Sequence, residues 1–187
     1  MLAGEPYYSR APELLGMYHR ARALLADYAA TPSTNAERKQ ELLTSLLGRV
    51  GRDVWIEAPF FCDYGENIAI GDGVFINYNC VFLDCNRITI GNDVLVGPAV
   101  QIYTATHPLD PRERIRRDAE SGGSTYVTRA LPVEVGDNAW LGGGALLMPG
   151  ISIGENTTIG AGSVVTQSIP PHVFAAGNPC RVMREFA

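Results

Sequence analysis

Residues Val133 to Ser168 read in sixes as VEVGDN, AWLGGG, ALLMPG, ISIGEN, TTIGAG and SVVTQS. The third position is always aliphatic: Val135, Leu141, Leu147, Ile153, Ile159 and Val165. The fourth is glycine at Gly136, Gly142, Gly154 and Gly160. A helix repeats at about 3.6 residues and a strand at about 2, so a strict six fits neither alone. It fits a solenoid of short flat strands that turn a corner at Gly or Asn/Asp. Each turn points one aliphatic side chain inward onto the same position of the next coil. An ordinary β-sandwich with glycine-rich turns would not hold one aliphatic register over so many repeats.

Upstream the register reappears at Ile70, Ile76, Leu83, Ile90, Val96 and Ile102. The steps 76 to 83 and 83 to 90 are seven residues, which implies a bulge, and bulges often re-aim side chains beside a site. Asn77 and Asp84 follow the aliphatics and so stand at corners, where turn chemistry alone would suit them. Between Ile102 and Val135 the register lapses. Asp110 to Leu131 is polar, carries Arg112, Arg114, Arg116, Arg117 and Arg129, and reads as a long extruded loop; such loops in compact domains are usually functional or disordered.

Before about Val54 the spacing is helical. Leu14, Met17, Ala21, Leu24, Leu25 and Tyr28 form one stripe of a helix over 12–28. A second helix is expected from Thr34, capped by a box with Glu37 and ended by a Gly48 cap. The division implied is a helical segment over 1–52 and a solenoid over 53–187, with an extruded loop at about 106–132 and a cap over 169–187.

Composition narrows the function. The chain has 187 residues and a net charge of −5, which argues against a nucleic-acid surface. The start has no secretory pattern, and no apolar run approaches the roughly 20 residues that span a bilayer. Cys62, Cys80, Cys85 and Cys180 form no CxxC pair and read as reduced, mostly buried thiols of a cytoplasmic protein, without a metal.

His107 is the sharpest chemical candidate. It lies in YTATHPLDPRER, where the chain leaves the coil. A free imidazole titrates near about pH 6.5 and can take up and return a proton at neutral pH. No cysteine or serine elbow accompanies it, so the expected chemistry is direct attack of a deprotonated acceptor on an activated carbonyl.

The solenoid, the YTATHPLDP segment, the WLGGGALLMPGISIGENTTIGAGSVVT run and the AAGNPCRV tail resemble the maltose, galactoside and nodulation-factor O-acetyltransferases. The likeness covers nearly the whole chain. It implies a mainly β fold, a left-handed parallel β-helix with N-terminal α-helices, and a homotrimer with acetyl-CoA between neighbouring solenoids. It also implies His107 as general base and an acceptor pocket lined by Asn77, Asp84, Asp63 and Ser9. The main chain at Gly142 and Gly143 would donate to the thioester oxygen, beside Trp140. Ala161, Thr166 and Gln167 would follow the pantetheine and nucleotide, and Arg181 and Arg184 the phosphates.

This chain departs from its relatives in three places. Gln167 replaces a frequent Lys, Ser9 stands where some relatives place an acceptor-binding Asp, and the loop after His107 is longer. These leave the chemistry alone and bear on the acceptor, a sugar-like hydroxyl compound or a non-sugar or amino acceptor. A non-catalytic trimeric scaffold is the alternative class. A metal hydratase on the same solenoid needs three histidines, and only His107 and His172 lie in the β region.

Overall fold

A computed structural model describes residues 1–117 and 124–186. The β region winds through parallel sheets of two- to four-residue strands stacked coil on coil. The inward residues of the first face are Val50, Ile70, Ile90, Val135 and Ile153. Those of the second are Ile56, Ile76, Val96, Leu141, Ile159 and Ala175. Those of the third are Cys62, Phe82, Ile102, Leu147 and Val165. The expected β-helix is therefore present, with its core down the axis.

The upstream register needs correction. Phe82, fully buried and paired with Ile102, takes the inward position, and Leu83 beside it is only half-buried. The steps are thus six residues from Ile76 to Phe82 and eight from Phe82 to Ile90, with unbroken pairing along 81–83 and no bulge. The first coil does the same, from Cys62 to Ile70. Each time the two extra residues enlarge the corner between the third face and the first. The longest departure, after Ile102, opens at that corner too. Its described residues are paired: Ala105–Thr106 pairs with Arg129–Ala130, a helical turn spans Pro111–Arg114, and Ile115–Arg117 pairs with Ser124–Tyr126. Residues 118–123 of the expected extruded loop and the side chains of Arg116 and Arg117 lie outside the described residues.

Regular corners are tight. A side chain at Gly142 would bring its Cβ to 2.5 Å from the Ala161 nitrogen of the next coil, so only glycine fits. Helix α1 (Pro12–Ala30) and helix α2 (Ala36–Leu46) plug the first coil. Ala21, Leu25, Tyr28, Leu42, Leu43 and Leu46 join the solenoid core. Helix α2 is capped by Asn35, whose Oδ1 accepts from the Arg38 N–H at 3.1 Å, and not by Thr34. Asn35 immediately precedes the first helical residue, which places its oxygen over the orphan N–H groups. Nor does Gly48 form a left-handed cap: Leu47 is extended, and Gly48 is small because a Cβ would overlap the Glu66 carbonyl oxygen. At the other end Val173–Ala176 and Arg181–Glu185 pair antiparallel and close the second face.

The corrected register separates two neighbours. Phe82→Asp buries an unpaired carboxylate, at a cost of several kcal/mol, roughly, and should abolish a cooperative melt. Leu83→Asp should melt within about 2 °C of the parent. The reverse ranking in thermal denaturation would restore the original register.

Candidate functional site

The enlarged corners stack into a cleft of about 440 Å³. Asp63 and Tyr64 come from the first enlarged corner, Cys85 from the second, and Ala105, His107, Tyr126 and Thr128 from the excursion. Tyr7, Ser9, Arg10, Leu15 and Tyr18 close it from the N-terminal side. A small second core of Tyr64, Cys85 and Ala130, with Tyr7, Leu14, Met17 and Ala105 against it, underlies the cleft.

His107 is exposed, and its Nδ1 lies 2.7 Å from the Val127 carbonyl oxygen. A carbonyl only accepts, so Nδ1 carries the proton and Nε2 keeps its lone pair. The Tyr126 ring stands edge-to-face with the imidazole, centroids 5.4 Å apart at 89°. Asp63 is half-buried; burial raises its carboxyl above the ordinary range, against the opposing Cys85 thiol, 3.4 Å away, and Arg22, 3.9 Å away. Burial likewise pushes the Cys85 thiol up to about 12, so it is a neutral S–H donor and not a nucleophile.

Of the expected acceptor residues, Ser9, Asp63 and His107 meet in this cleft. Asp84 does not line it. Its side chain is fully buried and accepts from the Asp63, Tyr64 and Asn67 N–H groups at 2.9, 2.8 and 3.3 Å. It ties the enlarged corner together from inside, and the neighbouring Cys85 takes the cleft-facing position. Asn77 sits on a different corner, between the second and third faces, with its Oδ1 accepting from the Tyr78 N–H. Gly142, Gly143 and Ala161 stand on that same corner, and Trp140 projects outward from the second face, 53% exposed. The Gly142 N–H is committed to the Ile159 carbonyl at 2.8 Å, which removes it as a thioester donor; Gly143 N–H has no main-chain acceptor among the described residues. Thr166 and Gln167 are exposed beyond the last third-face strand. Arg181 and Arg184 are exposed on the closing strand, without a carboxylate partner among the described residues. Sequence reasoning missed Tyr7, Tyr64, Cys85 and Tyr126, which no local motif marks. Among the described residues no group of three His, Cys, Asp or Glu could hold a metal, and no helix is long and apolar enough to cross a membrane.

Residues 1–51 match the maltose acetyltransferase hexapeptide capping motif, and residues 132–167 match the bacterial transferase hexapeptide model of six repeats. Nodulation protein L of Rhizobium meliloti is 44% identical over 182 residues, covering 97% of this chain and 94% of that protein. The crystal structure of a maltose O-acetyltransferase from Clostridium difficile 630 superposes with a TM-score of 0.91 at 42% identity, covering 100% of this chain and 95% of that one. A hexapeptide-repeat acetyltransferase from Vibrio cholerae O1 biovar eltor, complexed with acetyl coenzyme A, gives 0.88 at 35% identity, covering 100% and 96%.

Asp84 carries a prediction with a sign. Burial raises its carboxyl to about 6, above the roughly 3.9 of an unfolded aspartate. The folded state therefore holds the proton more tightly, and the destabilisation from burying the charge is complete above pH 6 and fades as pH falls toward about 4. Asp84→Asn, which sets an amide donor against N–H groups, should lower Tm by several degrees at neutral pH. The gap from wild type should widen between pH 7 and pH 4.5, because only the wild type gains from protonation. A gap that narrows on acidification would contradict this assignment.

Proposed function

The chain belongs to the hexapeptide-repeat acetyltransferases that carry the maltose acetyltransferase capping segment, and on that premise we propose that it acetylates a hydroxyl of a sugar-like acceptor with His107 as general base. It is an acyltransferase, and its cosubstrate is acetyl-CoA. One observation carries the reading of the base: the Val127 carbonyl holds the Nδ1 proton and leaves Nε2 free at a cleft. Nε2 takes the proton of the acceptor hydroxyl as its oxygen attacks the thioester carbonyl. The tetrahedral intermediate collapses, the C–S bond breaks, and the imidazolium returns the proton to the departing thiolate. Gly143 N–H is the donor we assign to the developing oxyanion, and Ser9 and Asp63 orient the acceptor.

Thr166 and Gln167 follow the extended arm, and Arg181 and Arg184 meet its phosphates, for which a guanidinium fork is suited. The outward row of the second face runs Trp55, Phe75, Leu95, Trp140, Thr158 and Phe174, and its apolar stretch from Trp55 to Trp140 supports a homotrimer. Trp55, Leu95 and Trp140 are 47%, 50% and 53% exposed, a patch that a partner would cover. In such an assembly the corner bearing Asn77 and Gly143 in one chain faces the His107 cleft of its neighbour, so each site is shared. Buried, unbridged cysteines support a cytoplasmic setting.

His107→Ala should lower kcat by about 10²–10⁴ with acetyl-CoA affinity and Tm preserved, measured by thiol release against a panel of sugars and alcohols with protein thiols blanked. Full turnover in the variant would end the mechanism. Arg181→Ala should raise KM for acetyl-CoA by roughly tenfold or more while leaving the acceptor KM unchanged; an equal loss on both substrates would point away from phosphate contact.

A further inference from the structure

We propose that Tyr126 is a positioning residue for His107, held in place by the N-terminal segment. This rests on the reading of His107 as the base. A single hydrogen bond from Nδ1 to the Val127 carbonyl is a point contact, about which the imidazole can still pivot. The Tyr126 ring meets the imidazole at 89° with centroids 5.4 Å apart, the edge-to-face geometry that aromatic pairs favour. Two consecutive residues thus grip one ring, Tyr126 by its own ring and Val127 by its carbonyl.

The grip depends on where residues 126–128 lie, outside the solenoid core. The excursion's own pairing sets their course, with Tyr126 opposite Ile115 and the Val127 N–H donating to the Arg114 carbonyl at 2.8 Å, and the chain's first residues brace them from the other side. Tyr7 N–H donates to the Thr128 carbonyl at 3.1 Å, and the Ser9 hydroxyl donates to the Tyr126 hydroxyl at 3.3 Å. The Arg10 guanidinium lies 5.9 Å from the Tyr126 ring centroid, over its face. The segment before α1 thereby reaches the catalytic histidine through one tyrosine. Ser9 then does more than line the acceptor cleft: a residue at this position also braces Tyr126.

The test uses the intact protein labelled with ¹⁵N-histidine, at a pH above imidazole titration, with maltose as the acceptor probe. Long-range ¹H–¹⁵N correlation reads the tautomer, and the His107 signal is assigned by its loss in His107→Ala. Wild type should show the Nδ1–H pattern alone. Tyr126→Leu should shift the signal toward a tautomer mixture and lower kcat by about 10- to 100-fold, the scale of a slightly misplaced catalytic group. KM for acetyl-CoA should change less than about twofold, and Tm should stay close to wild type, since Tyr126 lies off the solenoid core. Tyr126→Phe, which keeps the ring, should restore the pure pattern and most of kcat. A pure Nδ1–H pattern with wild-type kcat in Tyr126→Leu would overturn the inference and leave the role of His107 intact. Turnover persisting in His107→Ala would instead remove the general-base reading, while the tautomer shift would still report whether Tyr126 positions the ring.

Discussion

Neighbouring coils of this solenoid lie one strand spacing apart, about 4.8 Å, and that distance decides what each corner can hold. At the corner between the first and second faces Asp53, Asp93, Asn138 and Asn156 have φ of 54–56°, and Gly73 has 69°. This is the left-handed region that Asp, Asn and Gly adopt most readily. The same corner is laced coil to coil: Arg52 N–H donates to Asp72, Asp72 N–H to Asn92, and Asn92 N–H to Asp137. Repeating one geometry keeps this corner the same from coil to coil.

The corner between the third face and the first breaks that repetition three times, at 63–69, 83–89 and 103–134. Because the breaks are stacked, they make one cleft and not scattered bulges. An enlarged corner has more main chain to satisfy, and buried polar side chains do it. Asp84 accepts three N–H groups, and the Asn86 amide donates to the Ala130 carbonyl at 2.8 Å. Adjacent residues thereby face opposite ways, with Asp84 inward as a tether and Cys85 toward the cleft.

The solenoid was legible because its spacing rule repeats over every coil, so a single glycine or aliphatic need not carry the reading. The rule failed where its template was too narrow. Phe82 is aromatic, so an aliphatic template selects Leu83 in its place and masks the eight-residue step that opens the cleft. His107 stands out in the sequence as the histidine at the coil's exit, and the structure places it at the cleft. Tyr7, Tyr64, Cys85 and Tyr126 do not stand out, since they converge from four separate segments through packing that leaves no local pattern. The Gly142 donor failed for a similar reason: only pairing between coils reveals that its N–H is already used.

The central claim of the proposal is that one chain does not hold the whole site. His107 stands at the corner between the third and first faces, and Asn77 and Gly143 at the corner between the second and third. The most direct measurement mixes two inactive chains, His107→Ala and Asn77→Ala, co-expressed under separate tags and purified through both. If the site is shared between neighbours, each mixed assembly carries some sites with both wild-type residues. Acetyl-CoA turnover should then recover to about a third of wild type, because every mixed cyclic trimer has one such site in three. Mixed assemblies as inactive as either parent would show that each chain works alone, and would contradict the shared site.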